Sequence, residues 1–140
     1  MVSEQLLELA CGIARGELVP YLGAGALQGV TDPVTGTVIP ADSDSLILAM
    51  NNGKPMSQRL MWEFPRAAMD VELKRGRGAV NRFLDATYGD DRTWTRAPVH
   101  DWLKSVRPPY VIDINRDTQL QESYADVPHA LVRDIRIGLL

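Results

Sequence analysis

Glu17-Leu18-Val19-Pro20-Tyr21-Leu22-Gly23-Ala24-Gly25-Ala26-Leu27 joins a short apolar run to two glycines one residue apart. An apolar run of this length, stopped by turn residues, fits a buried strand of a parallel sheet covered on both faces. Gly23 and Gly25 permit backbone angles and a close ligand approach that a side chain would block. In an open α/β sheet the ligand crevice lies beyond the carboxyl ends of the strands, where backbone N–H groups leading toward a helix cradle a pyrophosphate. The same residues also fit a tight turn that binds nothing, because glycine punctuates such loops anyway.

Outward from this stretch, Ser3 to Arg15 reads as a helix with Ser3 as N-cap and Gly16 as its stop. Leu6, Leu7, Leu9, Ala10, Ile13 and Ala14 form a broad apolar stripe that should lie beside the first strand, and the spacing of Cys11 with Leu7 and Ala14 makes it a buried helical residue. Gln28 to Asp42, with Gly29, Pro33, Gly36 and Pro40, has the composition of a long irregular loop, functional or mobile. Ser43 or Asp44 can cap a short helix through Met50, and Pro55 suits the first turn of the next. Met56 to Tyr88 reads as two or three helices broken by Pro65 and by Lys74-Arg75-Gly76-Arg77-Gly78. The cations of that break suit a solvated helix C-terminus better than a phosphate site. Pro98 to Val106 makes another helix, in which His100 reads as a packed or capping residue.

The second informative stretch is Pro109-Tyr110-Val111-Ile112-Asp113-Ile114-Asn115-Arg116-Asp117, a β-branched run that turns polar and passes into a helical Thr118 to Tyr124. Polar residues at the carboxyl end of such a strand point into the ligand crevice, which gives Asn115 and Asp117 a functional reading; Asp117 is equally a preferred helix cap. Ala130 to Ile137 alternates apolar and charged residues, as a half-buried or edge strand does. The expected fold is therefore α/β and Rossmann-like: a short parallel sheet from Leu18–Leu22, Tyr110–Ile114 and Ala130–Ile137, flanked by helices, in one domain over residues 1–140.

Composition narrows the function classes. With 45% hydrophobic and 24% charged residues the chain is that of an ordinary globular protein, and a net charge of −3 predicts no general attraction to nucleic acid or anionic membrane. One cysteine can form neither an internal disulfide nor a cysteine metal site, and suits a reducing cytoplasm. No apolar run is long enough to span a membrane, and no metal-ligand spacing surrounds His100.

Taken together, the two motifs resemble the sirtuin family, and most closely its divergent bacterial sirtuin-like branch. Leu18 to Gly25 is similar to that family's first strand and Gly-Ala-Gly loop. Gly29-Val30-Thr31-Asp32 is similar to the Gly-Ile-Pro-Asp of its cofactor loop, and Ile112 to Asp117 resembles its Thr-Gln-Asn-Ile-Asp or Thr-Thr-Asn-Tyr-Asp motif. The resemblance implies an NAD cofactor, with Gly23, Ala24 and Gly25 at the pyrophosphate, Asp32 near the nicotinamide amide, and Asn115 and Asp117 at the nicotinamide ribose as the catalytic candidates. Departures accompany it. Ala26-Leu27 stands where sirtuins carry a serine, the Phe-Arg after the loop aspartate is absent, and His129 precedes the last expected strand instead of following it as the family's catalytic base does. The later phosphate loop and zinc cysteines have no counterpart, so the domain is incomplete relative to the full family fold.

Two functions follow as expectations. One is a sirtuin-like NAD- or ADP-ribose-binding domain, with NAD hydrolysis or NAD-dependent deacylation as its chemistry. The alternative is a catalytically inactive sirtuin-like module that docks on a protein partner. In either case the free edge and apolar residues of the last strand, Ile135, Ile137, Leu139 and Leu140, predict a homo-oligomer or a partner at that strand.

Overall fold

The computed structural model describes residues 3–89 and 91–132. Its one sheet has two strands, β1 (Tyr21–Leu22) and β2 (Ile112–Asp113), paired in parallel with Tyr21 opposite Ile112 and Leu22 opposite Asp113. The Ile112 N–H donates to Pro20 O at 2.9 Å and the Ile114 N–H to Leu22 O at 3.1 Å, so the ladder extends slightly beyond the assigned strands. Helices dominate the rest, and the chain is mixed α/β with a small parallel sheet flanked by helices. Of the third expected strand, Ala130 to Val132 have no regular structure, and the remainder, with the apolar residues from Ile135 to Leu140, lies outside the described residues.

Helix α1 (Glu4–Ala14) starts where the sequence places it: the Ser3 hydroxyl accepts from the Leu6 N–H at 3.3 Å, and Gly16 ends the helix at φ 72°. Its buried face is narrower than the leucine stripe predicts. Only Gly12 and Ile13 are buried, because the helix packs on the Pro98–Val106 helix and on Leu18 of the segment before β1, whose Cδ1 would lie 2.8 Å from a Cβ placed at Gly12. Cys11 therefore falls on the exposed side, contrary to expectation, and so do Leu6, Leu7 and Leu9.

The main core is helical. Helices α2 (Ser43–Met50), α4 (Phe64–Arg75) and α5 (Ala79–Tyr88) close around Leu46, Ile47, Phe64, Ala67, Val71 and Val80, with the single turn α3 (Gln58–Met61) beside them. Burying an aliphatic side chain completely, as at Leu46 and Ile47, contributes about 1.5–3 kcal/mol each before entropy is counted. Asp42, one residue earlier than expected, caps α2 by accepting from the Ser45 N–H at 2.8 Å. Pro55 lies outside any helix, since α3 begins after Ser57, while Pro65 occupies the first turn of α4 as its fixed φ favours. No side chain of its own caps α5. The Glu72 carboxylate does so from α4, accepting from the N–H groups of Gly78 and Val80 at 3.0 and 3.1 Å, and these bonds hold Glu72 below the usual carboxylate range. Arg75 donates to Met50 O and Asn51 Oδ1, and Lys74 pairs with Asp70, so the two lysine and arginine side chains before Gly76 serve the helix ends.

The long loop after β1 is fastened at several points. Thr31 pairs with Val38 as an isolated antiparallel bridge, the Thr31 N–H donates to Thr95 Oγ1 and the Thr95 N–H to Thr31 O, both at 2.8 Å. Leu27, Val30, Ile39 and Ala97 bury a second, smaller core beneath it. Helices α6 (Pro98–Val106) and α7 (Gln119–Ser123) then flank β2. No described helix is long and apolar enough to cross a membrane.

Candidate functional site

Parallel pairing of β1 and β2 brings two loops that lie far apart in sequence to the same end of the sheet. Asn115 joins them: its side-chain amide donates to Gly23 O at 3.1 Å and to Asp113 Oδ1 at 2.9 Å, while its backbone N–H also donates to Asp113 Oδ1 at 3.0 Å. Asp113 thus fixes the Asn115 side chain, and Asn115 fixes the glycine loop. The loop itself is a 3-10 turn, Ala24–Leu27, entered from an extended Gly23 at φ −110°. Neither Gly23 nor Gly25 adopts a positive φ, so the backbone does not require glycine at either position. A Cβ at either would meet nothing within 4 Å. The space in front of the loop is open to an approaching molecule and is not filled by any described residue.

That space is a shallow groove of about 570 Å³ lined by Tyr21, Leu22, Gly23, Gly25, Ala26, Gln28, Pro98 and Val99. Its size is within the range of small-molecule sites, roughly 300–1,000 Å³. Of the residues the sequence singles out, Gly23 and Gly25 line it, Ala24 lies between them, and Asn115 supports it from behind. Asp117 and Asp32 do not line it.

Asp117, half-buried, belongs to a polar cluster with His100 and Gln119 that does not line the groove. One carboxylate oxygen accepts from the Gln119 N–H at 3.1 Å, the capping role the sequence allows; the other is buried with no hydrogen-bond partner among the described residues. Burial pushes its proton affinity up, against the Gln119 bond, and the nearby Asp113 charge adds to the rise. Across from it on α6 is His100, 0% exposed, with neither ring nitrogen partnered among the described residues. Burial pushes the imidazole down, opposed by the carboxylates of Asp117 and Asp113. Gln119 completes the cluster: its carbonyl oxygen accepts from the Ala97 N–H at 3.2 Å, docking the start of α7 on the start of α6, while its side-chain nitrogen is buried without a partner among the described residues. A neutral imidazole beside a carboxyl of raised proton affinity is the material of a general base, but neither group reaches the groove.

His100 is packed, as its sequence context reads: helical spacing places it on the same buried face of α6 as Leu103. Asp32 is used elsewhere. It accepts from the N–H groups of Val34 and Thr35 at 2.8 and 2.9 Å and pairs with Arg92 at 3.1 Å, and Arg92 in turn lies over Trp94 at 4.9 Å. The Thr35 and Val34 bonds, ahead of Arg92, hold its carboxyl below the usual range. Among the described residues no three His, Cys, Asp or Glu side chains converge on a common point as a metal-ligand set. Compared with protein-family models, curated proteins and solved structures, the chain matches none of them.

Proposed function

We propose that the chain is a nucleotide-binding domain of sirtuin-like type that takes NAD or ADP-ribose in the groove over Gly23 and Gly25, in a Rossmann-like arrangement with β1 and β2 as neighbouring strands. One observation carries this reading. Two glycines that the backbone does not require face open space at the carboxyl end of a parallel strand, and Asn115 of the adjacent strand holds their loop at 3.1 Å. Glycine without a conformational reason, beside a groove of ligand size, is accounted for by a ligand that must come close to the backbone. In this reading Asn115 positions the loop. Cleavage of NAD, by hydrolysis or deacylation, would require the Asp117 and His100 cluster, which does not line the groove, to open toward it.

The alternative, a catalytically inactive module that docks on a protein, is favoured by Asp32, whose carboxylate is occupied by Val34, Thr35 and Arg92 and so is turned to holding its own loop. Calorimetric titration with NAD and with ADP-ribose, with released nicotinamide measured alongside, separates the two. Saturable binding to one site supports the nucleotide reading, and nicotinamide release extends it to catalysis. Absence of both overturns it in favour of docking.

A further inference from the structure

The sheet turns its apolar side outward. Along β2 and its flanks Tyr110, Ile112 and Ile114 are exposed while Val111, Asp113 and Asn115 are half-buried, and along β1 Val19 and Tyr21 are exposed while Leu22 is 7% exposed. The register puts Tyr21 beside Ile112, so these five exposed side chains share one face. Parallel strands are almost always covered on both faces, and here no described element covers one of them. A second apolar element also lacks a partner among the described residues. Glu4 to Leu9, the first half of α1, is exposed on every side, with Leu6 and Leu7 each 61% exposed, and so short a helix is marginal in water without a surface to lie on.

We infer that the two complete each other in a two-fold dimer of this chain, α1 of each copy lying across the bare sheet face of the other. The surface is self-complementary in the way an isologous interface requires: each copy supplies one helix without a sheet and one sheet face without a helix. With Leu6, Leu7 and Leu9 turned to the sheet, Glu4 and Glu8 fall on the far side of the helix and stay in water. The exposed parts of Leu6, Leu7 and Leu9, together with the five side chains of the sheet face, amount to an area comparable to the ~800 Å² per partner that a standard stable interface buries. This dimer is independent of the nucleotide reading, although Tyr21 belongs to both the sheet face and the groove.

The test is a pair of charge substitutions at exposed positions, Leu7→Glu on the helix and Ile112→Lys on the sheet, followed by sedimentation equilibrium, with far-UV circular dichroism confirming that each variant folds. The parent should dimerise. Each variant alone should be weakened by about a hundredfold or more, because the two-fold axis places each change in both halves of the interface. An equimolar mixture of the two variants should recover most of the affinity: in the heterodimer one helix–sheet contact is unaltered, and the other sets the carboxylate introduced on the helix of the first variant against the ammonium introduced on the sheet of the second. A parent that stays monomeric at its highest soluble concentration refutes the dimer, as does binding of the monomer to lipid vesicles through the same residues. Self-association that Leu7→Glu leaves intact, or that the mixture fails to recover, refutes the helix-on-sheet arrangement.

Discussion

Gly25→Val separates a glycine kept for a ligand from a glycine kept for the fold. Gly25 is exposed, lies outside the positive-φ region, and a Cβ there meets nothing within 4 Å. Valine is somewhat unfavourable in a helical turn, by several tenths of a kcal/mol, but removing glycine also removes conformational freedom from the unfolded chain, worth about 0.4–1 kcal/mol in the other direction. The two nearly cancel, so unfolding free energy should change by less than about 0.5 kcal/mol and the melting temperature by no more than about 3 °C for a chain of this size. Ligand binding has no such compensation. Two methyl groups would occupy the space through which a pyrophosphate reaches the loop amides, and each hydrogen bond to a charged group is worth about 1.5–3 kcal/mol. Losing two of them lowers affinity by roughly a hundredfold to ten-thousandfold. Thermal denaturation and calorimetric titration of the same sample read both quantities. A variant that melts as the parent does yet still binds NAD normally refutes the groove as the nucleotide site, and one that fails to fold refutes the argument from open space. Asn115→Ala is the contrasting change: it breaks the bond to Gly23 O and that to Asp113, and should lower stability by about 1–2 kcal/mol while weakening binding by less than Gly25→Val does.

Two more predictions concern groups away from the groove. His100→Leu removes a buried imidazole whose nitrogens have no partner among the described residues, and should raise stability near neutral pH by about 1 kcal/mol in denaturant unfolding. Because burial lowers the His100 pKa, the unfolded chain takes up a proton that the folded chain refuses; the parent should lose stability as pH falls below about 6.5, and the leucine variant should lack that component. Asp32→Ala should free the Thr31–Val38 turn, read as faster amide exchange at Val34 and Thr35. Since the Asp32 carboxyl is held low, the difference from the parent should be full above the ordinary aspartate range and fade as pH drops through the folded value.

Local rules made much of the fold legible. The Ser3 cap, the stop at Gly16, the helix from Pro98 to Val106 and the two strands that pair each rest on a signal confined to a few neighbouring residues. What was not legible depends on distant neighbours. A leucine stripe says that one side of α1 is apolar but not how much of it meets a partner, and contact through Gly12 and Leu18 leaves Cys11 and three leucines outside. Similarity of the Asp32 segment to a cofactor loop hid a local alternative: Thr31-Asp32-Pro33-Val34-Thr35-Gly36 is itself a turn sequence whose aspartate accepts from the amides two and three residues on, and those are the bonds it makes.

The strand from Tyr110 to Asn115 shows how the two kinds of information combine. Alternation alone assigns Tyr110, Ile112 and Ile114 to one side and Val111, Asp113 and Asn115 to the other, and the usual rule would turn the first set inward. The structure turns it outward, for a reason found on β1: Asn115 must reach Gly23 O, and Asp113 must lie beneath Asn115 to orient it, so the polar side is committed to the site. Among the described residues the apolar side is then left to water. A strand that gives its inward face to a polar site bears its hydrophobic residues outward, and that outward face is where the proposed dimer seats α1 of the second copy.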